Sequence, residues 1–108
     1  MTRYSALLGT GSYLPERILT NEEISRSVDT THEWIMERTG IAERRIAGAG
    51  ETASSMGEKA SRMALEAAGL VPEDIDLIIV GTGTPDRVFP STACLLQHRL
   101  GIRQCAAF

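Results

Sequence analysis

Two residues four apart, Trp34 and Arg38, carry the most specific chemical possibility in the chain. On a helix that spacing puts both side chains on one face. An indole plane beside a guanidinium plane can sandwich a nucleobase, while the guanidinium offers forked donors to phosphate oxygens. The same spacing also fits a tryptophan that anchors its helix in the core and an arginine that complements the negative end of the helix dipole. On these residues alone both readings stand.

The other reactive side chains promise less. Cys105 enters an apolar stretch with no basic neighbour to hold a thiolate, and Cys94 falls on the apolar side of a predicted helix beside Leu95. Both read as core residues. No C-x-x-C motif or histidine pattern accompanies them, so neither a metal site nor a disulfide framework is indicated. His32 falls in the first turn of one predicted helix and His98 near the end of another, and both read as solvated. Gly9-Thr10-Gly11 lacks a third glycine, because Leu14 and Pro15 stand where a phosphate-binding helix would begin. Gly81-Thr82-Gly83-Thr84 has neither the lysine nor the spacing of a phosphate loop.

The elements that must position these groups follow from the pattern of apolar residues and stop signals. Tyr4 to Gly11 predicts a first strand, ended by the Gly-Thr-Gly-Ser run. A loop through Leu14-Pro15 comes next. Thr20-x-x-Glu23 and Thr30-x-x-Glu33 fit the capping box, which predicts two short helices, the second stopped at Gly40. Ile41 to Ile46 suits an exposed edge strand or extended loop. From about Ser54 to Ala68, residues Met56, Ala60, Met63, Ala64, Ala67 and Ala68 recur at helical spacing, with Gly69 as the stop. Leu77 to Val80 is apolar on both faces, as in a central strand covered by helices. Ser91 predicts the cap of a helix through Leu100, ended by Gly101, and a last apolar strand runs from Cys105 to Phe108.

Strands alternating with helices predict an α/β layer on a mostly parallel sheet. The 108 residues, 43% hydrophobic and 23% charged, suit one small globular domain. Eleven basic residues against fourteen acidic, a formal net charge of −3, argue against wholesale binding to nucleic acid or an anionic membrane. Met1 to Pro15 lacks the apolar core of a signal peptide, and Leu77 to Val80, the longest apolar run, is too short to span a bilayer. A cytoplasmic location is expected.

Several motifs occur in a recognisable order. Gly9-Thr10-Gly11-Ser12-Tyr13-Leu14-Pro15, Val28-Asp29-Thr30, Glu33-Trp34-Ile35, Arg38-Thr39-Gly40-Ile41, Arg44-Arg45 and Phe89-Pro90-Ser91-Thr92-Ala93-Cys94 together resemble the N-terminal part of the beta-ketoacyl-acyl-carrier-protein synthase III family. The resemblance implies a thiolase-like fold, with residues 1–108 forming an incomplete N-terminal βαβαβ half that stops before the catalytic cysteine. It implies no catalytic residue within the chain, since the family's cysteine, histidine and asparagine would all lie downstream.

By the same resemblance, Thr30, Trp34 and Arg38 line the coenzyme A nucleotide site, and Phe89 reaches across a homodimer interface towards the partner's acyl pocket. The implied reaction condenses acetyl-coenzyme A with malonyl-acyl-carrier protein and uses no metal or redox cofactor. The implied partners are those two substrates, the remainder of the enzyme and a second copy. Related condensing enzymes of secondary metabolism, or a non-catalytic coenzyme A-binding module, are the alternatives. Thr31-His32 replaces the family's common Ser-Asp, which removes a negative charge at the start of that helix.

Overall fold

Each of the four α-helices begins on a hydroxyl side chain that accepts a backbone N–H, and three of them end on a left-handed glycine. In the computed structural model, which describes residues 1–108, α1 (Asn21–Ser25) is capped by Thr20 and α2 (His32–Thr39) by Thr31. The longer α3 (Ala53–Ala68) is capped by Thr52, and α4 (Thr92–Leu100) by Ser91. Gly40, Gly69 and Gly101, at φ of 67°, 67° and 74°, close α2, α3 and α4. The predicted stops at these glycines are therefore real.

The chain falls into two compact units, Leu14–Gly50 and a second made of Met1–Tyr13 with Glu51–Phe108. In the first, β1 (Arg17–Thr20) pairs antiparallel with β2 (Glu43–Ile46), Arg17 opposite Ile46 and Thr20 opposite Glu43. The edge strand expected near Ile41–Ile46 is β2. Its partner β1 has no counterpart among the expected elements. Asn21, with no exposed surface, ties this unit together: Nδ2 donates to the Ile41 carbonyl at 2.8 Å, and Oδ1 accepts from Arg44 at 2.6 Å.

In the other unit, β3 (Leu77–Ile78) and β4 (Ala106–Ala107) pair in parallel through the intervening α4, a βαβ arrangement. Ile78, Ala93, Leu96, Leu100 and Ile102 form its core, with Cys105 packed against it. The expectation that Leu77–Val80 is covered on both faces is not met in this chain. Ile78 is buried, but Ile79 is 66% exposed, because helix α4 covers one face only. The first predicted strand is also corrected. Residues 1–15 form no ladder, and Gly9 and Gly11 instead run tightly against α3. A Cβ on Gly11 would lie 2.1 Å from the Ala60 carbonyl oxygen, so this close approach admits only glycine.

Candidate functional site

The segment before α2 turns sharply, with the Thr30 N–H donating to the Val28 carbonyl at 2.8 Å. That turn places Thr31 at the helix start, where its Oγ1 accepts the Trp34 N–H at 3.1 Å. The cap expected at Thr30 therefore falls on Thr31, and without the reciprocal bond of a capping box, since Trp34 stands three residues on. The consequence falls on Thr30, whose hydroxyl is enclosed and has no hydrogen-bond partner. An unpaired enclosed hydroxyl is costly, and since Oγ1 has no open surface, a ligand would reach it only after the side chain turns towards the cleft.

Thr30 lines a cleft of about 340 Å³ with Val28, Asp29, Thr31, Trp34 and Ile35. Ile35 is the buried anchor of α2, so the helix does not need tryptophan in the core. Trp34 is 52% exposed instead, and Arg38, one turn on, holds its guanidinium carbon 4.7 Å from the ring centroid. The structure thus brings Thr30, Trp34 and Arg38 together at one end of one unit, with the indole free of the core. Within this chain, Ile35 rather than Trp34 anchors the helix in the core.

His32, expected to be solvated, is engaged. Its Nδ1 lies 3.3 Å from Asn21 Nδ2 and 3.4 Å from Glu22 Oε1. These partners are alternatives: the neutral ring accepts from Asn21, and the protonated ring donates to Glu22. Glu22 is held below the usual carboxylate range, chiefly by a backbone hydrogen bond within its own residue, with desolvation opposing and His32 and Thr20 adding to it. Glu22 thus sets a carboxylate beside the imidazole at position 32.

Phe89 lies in the other unit, on a loop preceding α4, and is 85% exposed. Cys94 is exposed as well, against expectation, because Ala93, Leu96 and Leu100 define the buried face of α4 and Cys94 is turned about 100° from it. Cys105 is half-buried against the core, as its apolar setting suggested. The polar group that sequence reasoning missed is Asp86, which caps the N-terminus of α3 through Ser54. Thirty-two residues separate the two, so no local pattern signals the pair.

No protein-family model matches the chain. Its fold is nevertheless that of thiolase-like condensing enzymes. The chain superposes on 3-oxoacyl-[acyl-carrier-protein] synthase III from Aquifex aeolicus with a TM-score of 0.85 at 50% identity, over 93% of this chain and 32% of that one. The priming beta-ketosynthase of the R1128 polyketide pathway gives 0.84 at 44% identity, over 96% and 32% respectively. In sequence, it is 64% identical across all its residues to beta-ketoacyl-[acyl-carrier-protein] synthase III of Methylococcus capsulatus, of which it spans 34%. The chain belongs to the beta-ketoacyl-[acyl-carrier-protein] synthase III family and spans about a third of the length of the relatives it matches. No helix is long and apolar enough to cross a membrane.

Proposed function

We propose that this chain supplies the coenzyme A nucleotide face of a cytoplasmic enzyme that condenses acetyl-coenzyme A with malonyl-acyl-carrier protein to begin fatty acid synthesis. The observation that carries the reading is the exposed Trp34–Arg38 pair beside the unpaired Thr30 hydroxyl, in a member of this family. Trp34 offers a face for adenine, Arg38 offers donors to phosphate, and Thr30 forms part of the cleft wall. Phe89, exposed on its loop, extends towards the acyl pocket of a second copy in a homodimer. The reaction draws on no metal or redox cofactor.

Neither Cys94 nor Cys105 has a basic side chain in contact, so the 108 residues alone hold no activated nucleophile and are inactive without the remainder of the enzyme. Coenzyme A release from acetyl-coenzyme A by the isolated chain would contradict this. A condensing enzyme of secondary metabolism, the class of the polyketide priming synthase on which the chain also superposes, is the second reading; a panel of acyl-coenzyme A primers and carrier proteins separates the two.

The decisive experiment is steady-state kinetics of Trp34→Ala in the full-length enzyme. A group that binds the substrate far from the thioester contributes equally to ground and transition states. A stacked base is worth roughly 1–3 kcal/mol, so KM for acetyl-coenzyme A rises about ten-fold or more while kcat is retained. An unchanged KM would move the nucleotide site elsewhere.

A further inference from the structure

The loop at residues 81–90 has one firm attachment, at Asp86. Its Oδ1 accepts the Ser54 N–H at 2.8 Å and its Oδ2 accepts the Ser54 hydroxyl at 2.6 Å. Ser54, the second residue of α3, is 1% exposed. Its Oγ also accepts from Arg99 Nε of α4 at 3.0 Å. Arg99 in turn lies 3.4 Å from Glu58, and Arg62 binds Glu58 at 2.8 Å and the Arg99 carbonyl at 3.0 Å. The loop is thus clamped to two helices through one carboxylate. Hydrogen bonds to an ionised acceptor are roughly twice as strong as neutral ones.

On the far side of Phe89 the next attachment is Ser91, whose Oγ accepts the Cys94 N–H. Between these anchors lie Val88 and Phe89, both largely exposed. A short span fixed at both ends has few ways to place its side chains.

We infer that Asp86 is a positioning residue for Phe89: gripped by Ser54 and steadied by Arg99, it fixes where the loop presents the Val88–Phe89 tip and so sets the acyl length that the enzyme accepts. The inference rests on the proposed role of Phe89 at the acyl pocket. It goes further in naming the group that aims the phenylalanine.

The test uses the full-length enzyme with Asp86→Ala, Phe89→Ala and the double variant. Hydrogen exchange of the Ser54 amide, which donates to Asp86 Oδ1, reports the grip, and the ratio of kcat/KM for acetyl- and hexanoyl-coenzyme A reports the aim. Asp86→Ala speeds that exchange on the order of ten-fold, the scale of one lost charged hydrogen bond. It also shifts the acyl ratio several-fold. In the Phe89→Ala background, Asp86→Ala leaves the ratio unchanged, because the group it acts through is gone. Asp86→Asn, which keeps an acceptor for Ser54, gives the same signs at smaller size if the alanine variant does not fold.

A uniform loss of activity towards both primers, with a lower Tm and an unchanged acyl ratio, overturns the positioning role and leaves Asp86 a helix cap. An effect on the ratio that persists without Phe89 overturns it equally. If Phe89→Ala alone changes neither acyl ratio nor sedimentation, the reading of Phe89 fails and the acyl-length role of Asp86 fails with it, while faster exchange in Asp86→Ala still identifies the grip.

Discussion

The guanidinium of Arg38 rests on the indole of Trp34, its central carbon 4.7 Å from the ring centroid, so the two planes touch rather than stand apart. A base between them needs about twice the ~3.4 Å stacking rise. Sandwiching a base between them would therefore require Arg38 to swing away. An exposed cation–π contact is worth about 0.5–1 kcal/mol, less than the roughly 1–3 kcal/mol a stacked base returns, so the exchange is favourable. Arg38→Lys keeps the charge but loses the plane and the fork. Its KM for acetyl-coenzyme A rises about three- to ten-fold with kcat retained, as steady-state kinetics would show; a wild-type KM would leave Arg38 a mere companion of the indole.

Gly11→Ala places a methyl 2.1 Å from the Ala60 carbonyl oxygen and 2.6 Å from the Ala64 nitrogen. Overpacking against side chains typically costs 1–3 kcal/mol, and the backbone yields less. The full-length protein loses about 3 kcal/mol or more in denaturant unfolding. Gly81→Ala, with open space around its Cβ, changes stability by under about 1 kcal/mol. Equal effects at the two positions would contradict the close approach.

Asn21→Ala removes the acceptor of Arg44 and the donor to the Ile41 carbonyl from a site with no solvent access. Leaving such groups unpaired costs about 1–3 kcal/mol. Thermal unfolding should show a loss in this range, and a loss below about 0.5 kcal/mol would mean that water replaces the amide.

Desolvation pushes the Asp86 carboxyl up, but hydrogen bonds from the Ser54 side chain and backbone and from Thr52, with the Arg99 charge, hold it below the usual aspartate range. A carboxyl depressed on folding contributes stability above its unfolded pKa and loses it as pH falls through the folded value. The stability gap between wild type and Asp86→Asn is therefore full at pH 7 and closes only below about pH 4, the ordinary aspartate value. Unfolding measured from pH 7 to 3 checks this; a gap that closes near pH 6 would assign the effect to another group.

Local signals were the legible ones. The glycine stops at 40, 69 and 101 and the Ser91 cap depend on a few neighbouring residues, and the sequence carries them openly. Thr30 and Thr31 are adjacent hydroxyls, and only the Val28–Thr30 turn decides which one caps α2. Strand β1 was illegible because Arg17–Thr20 has no strong alternation and owes its form to β2, more than twenty residues on. Of the site, Trp34 and Arg38 were readable from spacing, whereas the exposure of Trp34 in this chain depends on Ile35 filling the core.

The contact of Gly9 and Gly11 with α3 also bears on how this protein can change. The obstacles to a side chain at position 11 include the Ala60 carbonyl oxygen and the Ala64 nitrogen, and at position 9 the Ala64 carbonyl oxygen and the Ala68 nitrogen. Main-chain atoms accompany every residue type. Trimming Ala60, Ala64 or Ala68 to glycine would leave those atoms in place, so a suppressor screen on Gly11→Ala would recover reversion to glycine, or changes that shift the helix bodily, and no compensating substitution at those three alanines.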